Sequence, residues 1–447
     1  MQTKIAVVGS GISGMSAAWL LSQAHDVTLF EADSRLGGHS NTVHVPHAGG
    51  TIPVDTGFIV YNARNYPNLV ALFDHLSVPT KPSNMGFAAS VDGGRVEYGG
   101  DNLVTLFSQW RNLVSPRFWM MLADLVRFYR EAPLHAAALE ADMTTLGDFL
   151  DARGYGKAFQ EDHILPQAAA IWSASAREIR DYPATAFIRF CENHGLLQIA
   201  DRPVWRTVDG GSTAYVSRLT APYADRARLC APVRRVARTA GGVVVHDEAG
   251  GDHLFDHVVL ATHADQSFRI LQDKTVKEQN ILSCFGYGAN ETVLHSDAAL
   301  MPRRRGVWSA WNYIDRGGCE AGRQLCVTYW MNRLQDLPRE KPLFVTLNPL
   351  RQPDPDKVFH SQVYEHPKFD AAAIRAQRDL WSLQGAGGVW FCGAYFGSGF
   401  HEDGLQAGLA VAEAIGGVRR PWTVTGESGR IHLAPSAPLT ARPGLPA

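Results

Sequence analysis

The apolar positions at the start of the chain fall into two short runs separated by one helical stretch. Residues 4–9 form a β-branched apolar run, which predicts a fully buried parallel strand. Residues 12–23 are rich in small and apolar side chains and predict a helix, and residues 26–31 predict a second strand. Because a buried strand, a helix and a second strand follow one another, the pattern predicts an α/β fold with a parallel sheet.

The pattern then changes twice along the chain. Residues 66–189 are largely helical in pattern, interrupted by a hairpin signal at Asp92-Gly93-Gly94. Strand patterns return at 234–238, 242–247, 257–261 and 389–392, with aromatic, alternating residues at 280–350 and a helical pattern at 404–415.

This order predicts a discontinuous, Rossmann-like nucleotide-binding domain with an inserted α+β substrate domain. We assign residues 1–65, 205–270 and 385–416 to the nucleotide-binding domain. Residues 66–204 and 271–384 form the substrate domain in this interpretation. The Pro-, Gly-, Ser- and Thr-rich residues 417–447 predict an extended or disordered tail.

Composition narrows the class of protein. The chain has 447 residues, of which 45% are hydrophobic and 19% are charged, as is typical of a globular enzyme with a large core. A formal net charge of −2 argues against nucleic acid as a partner. The six cysteines form no C-x-x-C pair, and the first strand pattern leaves no room for a signal peptide before it. We therefore expect a cytoplasmic protein.

The strongest motif is Gly9-Ser10-Gly11-Ile12-Ser13-Gly14, between the first predicted strand and the helix. Gly9 permits a tight turn, Gly11 lets the backbone approach a pyrophosphate, and Gly14 lets the helix pack close to the strand. The helix N-terminus favours an anion. Glu31 follows at the end of the second strand, where a carboxylate accepts from a ribose hydroxyl. The motif predicts a dinucleotide site, and NAD and FAD both use this fingerprint.

The residues after Glu31 resemble those of one flavoprotein group. Glu31-Ala32-Asp33-Ser34-Arg35-Leu36-Gly37-Gly38-His39 is similar to the E-x-x-x-R-x-G-G extension of the flavin-containing amine oxidoreductase superfamily. That superfamily includes monoamine oxidases, protoporphyrinogen oxidases and phytoene desaturases. The resemblance implies FAD as the cofactor, with Arg35, Gly37 and Gly38 lining its pyrophosphate and the path to the isoalloxazine.

Three later segments resemble the same superfamily in the same order. Thr56-Gly57-Phe58 looks like the strand beside the flavin, and Val233 looks like the residue whose backbone meets the adenine. The segment from Gly393 to Leu405 resembles the C-terminal flavin motif, with Asp403, Gly404 and Leu405 at a helix start. The implied FAD-binding residues are Gly9, Ser10, Gly11, Ile12, Ser13, Gly14, Glu31, Ala32, Arg35, Gly37, Gly38, His39, Thr56, Gly57, Phe58, Val233, Gly393, Asp403, Gly404 and Leu405.

A closer resemblance concerns the substrate. Segments 187–197, 205–212, 309–313, 328–332 and 345–349 look like a bacterial subfamily of predicted NAD/FAD-binding oxidoreductases. Its members are often encoded beside cyclopropane-fatty-acid-synthase-like methyltransferases. The resemblance implies a lipid or fatty acyl substrate, desaturated or otherwise oxidised, and a methyltransferase partner.

Candidate catalytic groups are few. Phe400, His401 and Glu402 lie in the motif nearest the flavin, but no dedicated base is identifiable. Three alternatives stay open: an amine oxidase, a non-catalytic FAD-binding partner of a methyltransferase, and a lipid isomerase. The spacing of His39, His44 and His47 fits no common metal motif, so no metal is predicted.

Residues 107–130 mix aromatic residues and methionines with arginines. Such a segment is typical either of a helical pair packed on its own domain or of a peripheral helix at a membrane interface. If the substrate is a membrane phospholipid, we expect docking at the inner membrane face to involve this segment.

Overall fold

The computed structural model describes residues 2–139, 144–172, 175–198, 202–315, 317 and 326–433. The strands are β1 (Lys4–Val8), β2 (Asp26–Phe30), β3 (Thr42–His47), β4 (Gly50–Asp55), β5 (Tyr61–Asn62), β6 (Thr80–Ser83), β7 (Phe87–Val91), β8 (Val96–Gly99), β9 (Trp205–Val208), β10 (Ala227–Arg228), β11 (Val233–Thr239), β12 (Gly242–Asp247), β13 (Asp252–Phe255), β14 (His257–Leu260), β15 (Gly286–His295), β16 (Trp311–Ile314), β17 (Val327–Trp330), β18 (Phe344–Leu347), β19 (Val358–Lys368) and β20 (Val389–Phe391).

The α-helices are α1 (Ile12–Leu21), α2 (Pro67–His75), α3 (Leu103–Leu106), α4 (Pro116–Leu139), α5 (Leu146–Ala152), α6 (Lys157–Phe159), α7 (Leu165–Trp172), α8 (Ala176–Arg180), α9 (Ala184–Asn193), α10 (Thr213–Thr220), α11 (Ala264–Ile270), α12 (Val276–Leu282), α13 (Met331–Leu334), α14 (Ala371–Gln377) and α15 (His401–Ile415). A π-helical turn, Gln160–Ile164, joins α6 to α7. Short 3₁₀ turns include Trp110–Val114 and Arg305–Val307.

The chain divides into two compact units. Unit 1 contains residues 1–35, 222–285 and 372–447, and unit 2 contains residues 36–221 and 286–371. The sequence pattern assigns residues 36–65 and 205–221 to the nucleotide-binding domain. They lie in unit 2 because β3 and β4 form their own hairpin and β9 pairs with β5 and β6.

Unit 1 is built on a five-stranded sheet in the order β10-β2-β1-β14-β20, whose strands all pair in parallel. The central strand β1 is buried along Ile5–Val8, which explains its continuous apolar pattern. Every residue of α1 is buried, and α1 packs against α15. This arrangement confirms the predicted α/β, Rossmann-like fold and puts the β1–α1 turn at the carboxyl edge of the sheet, where such folds bind ligands.

The segment 417–433 belongs to unit 1. It is irregular, yet its side chains are anchored. The ring of Trp422 stacks on Trp19 of α1 with 5.8 Å between centroids. The guanidinium of Arg420 is buried, and its Nε lies 2.8 Å from a carboxylate oxygen of Glu413. The remainder of the predicted tail, residues 434–447, lies outside the described residues.

Unit 2 is built on a seven-stranded sheet in the order β19-β15-β18-β17-β16-β7-β8. The predicted hairpin is found where β7 meets β8, and Asp92, Gly93 and Gly94 all have positive φ angles there. The helical stretch 116–193 includes α4 to α9, and α4 packs against α9 and α6. Because sheet and helices occur in separate stretches of sequence, unit 2 has the α+β organisation.

No helix within the described ranges is long and apolar enough to cross a membrane. In the same part of the chain, no group of three or more His, Cys, Asp and Glu side chains has the geometry to hold a metal ion.

Candidate functional site

The glycine-rich turn of unit 1 has the close contacts that its sequence demands. Gly9 has a φ of +98°, and its N–H donates to the carbonyl of Phe30 at 2.8 Å. A Cβ on Gly14 would lie 1.9 Å from the carbonyl oxygen of Gly9 and 3.0 Å from Cβ of Ala261. By contrast, a Cβ on Gly11 would meet no atom within 4 Å. Gly9 and Gly14 are therefore required by the fold, whereas Gly11 leaves open space beside the backbone.

That open space lies at the N-terminus of α1. Gly11 is the N-cap, and the helix has no side-chain cap or acidic residue in its first turn. Ile12 and Ser13 are buried in that first turn. An uncapped helix start with open space above its N-cap glycine is suited to an anionic group such as a pyrophosphate.

Glu31 is held beside this turn. Its Oε2 accepts from the N–H of Ser10 at 2.8 Å and from the Ser10 hydroxyl at 2.5 Å. Its Oε1 accepts from the N–H of Asp33 at 2.9 Å. These bonds fix a carboxylate at the end of β2, as a ribose-binding acid requires.

The chain leading to Val233 runs alongside Glu31. The N–H of Glu31 donates to the carbonyl of Arg228 at 2.9 Å, and the N–H of Ala231 donates to the carbonyl of Glu31 at 2.8 Å. Val233 begins β11 directly after this segment. The half-exposed guanidinium of Arg35 lies 3.4 Å from the carboxylate of Asp33. Thus Glu31, Ala32 and the approach to Val233 occupy one edge of unit 1.

Helix α15 begins at His401, three residues before the predicted start at Gly404. Phe400 is the N-cap, and its N–H donates to Oδ2 of Asp403 at 2.7 Å. This carboxylate in the first turn is what extends the helix back to His401. A Cβ on Gly404 would lie 2.8 Å from the hydroxyl of Ser13, so the starts of α1 and α15 pack closely together.

Asp403 has a second partner that the sequence did not reveal. The guanidinium Nε of Arg430, in the irregular segment 417–433, lies 2.6 Å from Oδ1 of the buried Asp403. Burial raises the pKa of Asp403, and Arg430 opposes that rise. The Asp403 carboxylate thus caps the N-terminus of α15 and links it to the segment 417–433. Gly393 follows β20 on the way to this helix, and Leu405 is buried inside it.

The catalytic candidates differ in their surroundings. Burial lowers the pKa of His401 to about 3, so its imidazole is neutral at physiological pH. Glu402 is fully buried, and its carboxylate accepts from the Gln406 amide at 3.0 Å. Phe400 is half-buried at the helix start. An imidazole with so low a pKa is a weak general base.

The remaining predicted residues lie in unit 2, where one loop packs on the end of β4. The carbonyl of His39 accepts from the N–H of Phe58 at 2.7 Å, and a Cβ on Gly57 would lie 2.2 Å from that oxygen. Gly37 and Gly38 both have positive φ. A Cβ on Gly37 would lie 2.5 Å from the carbonyl of Ser40, so this turn also needs its glycines.

β19 supplies contacts to this loop that sequence reasoning missed. The hydroxyl of Thr56 lies 2.8 Å from that of Tyr364, and the ring of His39 lies 4.9 Å from the Tyr364 ring. The amide of Asn41 donates to Gln362 and to Tyr364. No short-range signal marks Tyr364, which is separated from Thr56 by 308 positions along the chain.

A parallel sheet with a glycine-rich turn, an uncapped helix and a fixed acid defines a dinucleotide-binding protein, and the residues present fit the adenosine and pyrophosphate of FAD. The chain belongs to the flavin-containing amine oxidoreductase family, whose sequence model matches residues 12–295. This match confirms the predicted superfamily and, with it, FAD as the cofactor.

Curated relatives are distant. The chain is 27% identical over 286 residues to a coproporphyrinogen III oxidase of Mycobacterium tuberculosis (strain ATCC 25618 / H37Rv), covering 59% of this chain and 60% of that protein. It is 27% identical over 272 residues to a putative flavin-containing monoamine oxidase, AofH, of the same strain, covering 55% of this chain and 54% of that protein. The match thus spans little more than half the length of these relatives.

Solved structures share the fold over nearly the whole chain. A putrescine oxidase bound to putrescine has a TM-score of 0.66 at 16% identity, covering 93% of this chain and 99% of that one. A fatty acid isomerase from P. acnes that produces CLA has a TM-score of 0.64 at 15% identity, covering 92% and 98%. One fold therefore serves proteins named for an amine and for a fatty acid.

Proposed function

We propose that this protein is an FAD-dependent oxidoreductase that desaturates or otherwise oxidises a fatty acyl chain, including a methyl-branched one. When bound, FAD supplies the acceptor for a hydride from a substrate C–H bond. The residues of the chain then have three tasks: to hold the cofactor, to bind an apolar chain and to exclude water.

One observation carries the choice of an apolar substrate over a cationic one. Every buried carboxylate among the described residues of unit 2 already accepts from a protein donor. Asp55 accepts from Thr42, Ser212 and Gln335; Glu97 pairs with Arg304; Asp162 pairs with Arg95 and Arg117; Asp297 pairs with Arg351; and Asp315 accepts from the N–H of Gly317. Glu97, Asp162 and Asp297 are thereby already neutralised by arginine, which leaves less buried negative charge for a cationic amine to pair with.

The aromatic side chains of unit 2 favour the same class of substrate. Trp311 and Trp330 are half-buried on neighbouring strands, and the Trp311 ring lies 4.7 Å from that of the buried Tyr329. Trp172 is half-buried 4.6 Å from the ring of Phe190. A chain with few polar groups is bound by buried apolar area, at about 25 cal/mol per Å².

The neutral state of His401 also agrees with this proposal. At the start of α15, neither the apolar ring of Phe400 nor the uncharged imidazole of His401 repels an acyl chain. We also propose that a methyltransferase of the cyclopropane-synthase type acts with this protein, as the subfamily resemblance implies. The fatty acid isomerase that shares the fold supports an acyl substrate only as an analogy.

The test is anaerobic mixing of the FAD-loaded protein with straight or methyl-branched acyl phospholipids, or with putrescine. We expect bleaching of the flavin absorbance with an acyl lipid and none with the amine. Bleaching by the amine alone would replace the proposal with an amine oxidase. No bleaching with any substrate, in a protein that retains FAD, would favour the non-catalytic alternative or a lipid isomerase that uses flavin without net redox.

Phe400 offers a matched pair of variants. Phe400→Asp places a charge at the helix start, although aspartate is itself a good N-cap, so the helix should persist. We expect lipid-dependent bleaching to be lost with FAD retained, whereas Phe400→Leu should keep it. If both variants behave alike, Phe400 does not contact the acyl chain.

A further inference from the structure

Unit 2 exposes a group of large apolar side chains on one short stretch of chain. They are Leu103, Val104, Trp110, Leu113, Val114, Trp119 and Met120, each at least half exposed. We call these residues, with the arginines described below, the apolar–arginine patch. Val104 is 80% exposed, Val114 73% and Trp110 67%. Soluble proteins seldom leave so many large apolar side chains clustered in water without a partner.

The patch is one surface held together by the local fold. The ring of Phe107 lies 5.9 Å from that of Phe118 and 5.6 Å from that of Trp119, joining the loop after α3 to the start of α4. The indole N–H of Trp119 donates to the carbonyl of Leu113 at 2.9 Å. Phe118 and Asn112 lie among these exposed residues in the sequence, and both are buried. The exposed side chains are therefore attached to a segment that is packed on the rest of unit 2.

Arginines border this surface. The turn Arg305–Val307 packs on α3 and β8. Gly306 approaches Ser108 so closely that a Cβ would lie 2.1 Å from the serine hydroxyl. This packing puts the exposed Arg303, Arg304 and Arg305 beside the apolar residues, and Arg111 lies within the stretch itself.

The charge of the patch is of one sign. Residues 102–123 and 298–314 contain no aspartate or glutamate. Arg304 pairs with the buried Glu97. Among the described residues, Arg111, Arg303 and Arg305 form no ion pair with a carboxylate; Arg111 lies over the ring of Trp110 and Arg305 over that of Trp308.

Exposed apolar side chains together with arginines are suited to one kind of partner. We propose that the apolar–arginine patch docks the protein onto an anionic phospholipid bilayer. Tryptophan, leucine, valine and methionine side chains would enter the interface, and the arginines would meet lipid phosphates. A second copy fits less well, because a twofold interface would bring two surfaces of the same positive charge, each carrying Arg111, Arg303 and Arg305, against each other. The inference does not rest on the proposed substrate, since docking needs no turnover.

The test is flotation of the full-length, FAD-loaded protein with vesicles of phosphatidylcholine, either alone or mixed with phosphatidylglycerol. We expect binding to the mixed vesicles that weakens with added salt, and little binding to phosphatidylcholine alone. The double variant Arg303→Ala/Arg305→Ala should lower the partition coefficient on mixed vesicles about thirty-fold, from about 1 kcal/mol per arginine.

Two valines with equal exposure provide the control. Val114 in the patch and Val276 at the start of α12 in unit 1 are each 73% exposed. Val114→Asp should lower vesicle binding about ten-fold, whereas Val276→Asp should leave it within about two-fold. Flavin content should be unchanged in both variants.

Three results would overturn the proposal. The wild-type protein could bind neither kind of vesicle, or Val276→Asp could match Val114→Asp. A dimer that dissociates in Val114→Asp, without vesicle binding by the wild type, would assign the patch to a second copy instead.

Discussion

The glycine-rich turn of unit 1 and the loop–β19 contacts of unit 2 use the sequence in different ways. In the turn, Gly9, Gly11 and Gly14 lie within six positions, and their spacing alone specifies a backbone shape. In unit 2, Thr56 meets Tyr364, and Asp55 meets Ser212 and Gln335 over long separations. The glycine-rich turn is thus encoded by local backbone geometry, whereas the loop contacts of unit 2 are encoded by packing between distant segments.

The turn itself allows the sharpest test, because two of its glycines have opposite surroundings. Gly14→Val should produce the largest effect of all, since its Cβ would lie 1.9 Å from a backbone oxygen that cannot move away. We expect a loss of more than about 4 kcal/mol of unfolding free energy, or an insoluble protein. Solubility and the thermal midpoint measure it. A Gly14→Val protein with wild-type stability would show that α1 does not pack on β1 as described.

Gly11→Val should instead separate cofactor binding from folding. Its Cβ meets open space, so the fold should lose only about 1 kcal/mol from the poorer N-cap. The branched side chain would occupy the space beside the helix start, and FAD affinity should fall at least about a hundred-fold. Bound flavin after purification, and titration of the apoprotein with FAD, measure this change. Retention of stoichiometric FAD would contradict the placement of the pyrophosphate.

The third test concerns the ion pair between Arg430 and Asp403 in unit 1, which joins two separate segments of the chain as the contacts in unit 2 do. Arg430→Met would leave the Asp403 carboxylate buried without its cation, at a cost of about 3 kcal/mol. The variant should recover stability as the pH falls, because protonation removes the buried charge. Thermal midpoints at two pH values measure both effects.

Arg419→Met is the control for Arg430→Met. Arg419 is an exposed arginine in the same segment, paired with Glu413 and Glu427, and its loss should cost less than about 1 kcal/mol. Equal losses in the two variants would mean that Asp403 does not depend on Arg430.

The residues of the short motifs could be predicted from the sequence, whereas the contacts between separate segments could not. Gly9, Gly11, Gly14 and Glu31 could be predicted because each role follows from a short spacing and a backbone requirement. Arg430 could not, since it lies 27 positions from Asp403 in a segment whose composition favours disorder. The sequence pattern predicts that α15 starts at Gly404, whereas the bond from the Phe400 N–H to the Asp403 carboxylate starts the helix at His401.

The sequence predicts less detail for unit 2, because many of its contacts join segments that are far apart in the chain. Its α+β class followed from the separation of helical and strand patterns, and its hairpin from Asp92-Gly93-Gly94. The partners of Thr56 and Asn41 on β19 depend on strand order, which no short motif specifies. The exposure of Trp110 and Val114 likewise depends on which neighbouring side chains, such as Phe118, pack into the interior, and the sequence pattern does not specify this.

The smallest predicted effect lies in the core of unit 2 and concerns His295. Its imidazole is buried on β15, with Nδ1 accepting from the N–H of Asp297 at 3.1 Å and Nε2 donating to the hydroxyl of Thr346 at 2.7 Å. A ring that accepts at Nδ1 is neutral. Burial lowers the pKa of His295 to about 4, in agreement with this pattern.

The sign of the pH effect follows from that depressed pKa. The unfolded chain binds a proton at His295 near its ordinary pKa of about 6.5, whereas the folded chain does so only near 4. The stability contributed by the neutral ring is thus complete above pH 6.5 and is lost as the pH falls through 4. Compared with His295→Gln, which keeps one donor and one acceptor, the wild type should lose about 2 kcal/mol between neutral pH and a pH of about 5. Urea unfolding at both pH values measures this difference.

Thr346→Val is the control, because it removes the hydroxyl partner without removing a titrating group. It should lower the free energy of unfolding by a similar amount at the two pH values. A pH-independent difference between wild type and His295→Gln would mean that His295 has the same pKa in the folded and the unfolded chain, and a wild type that gains stability as the pH falls would mean that His295 is protonated in the folded core.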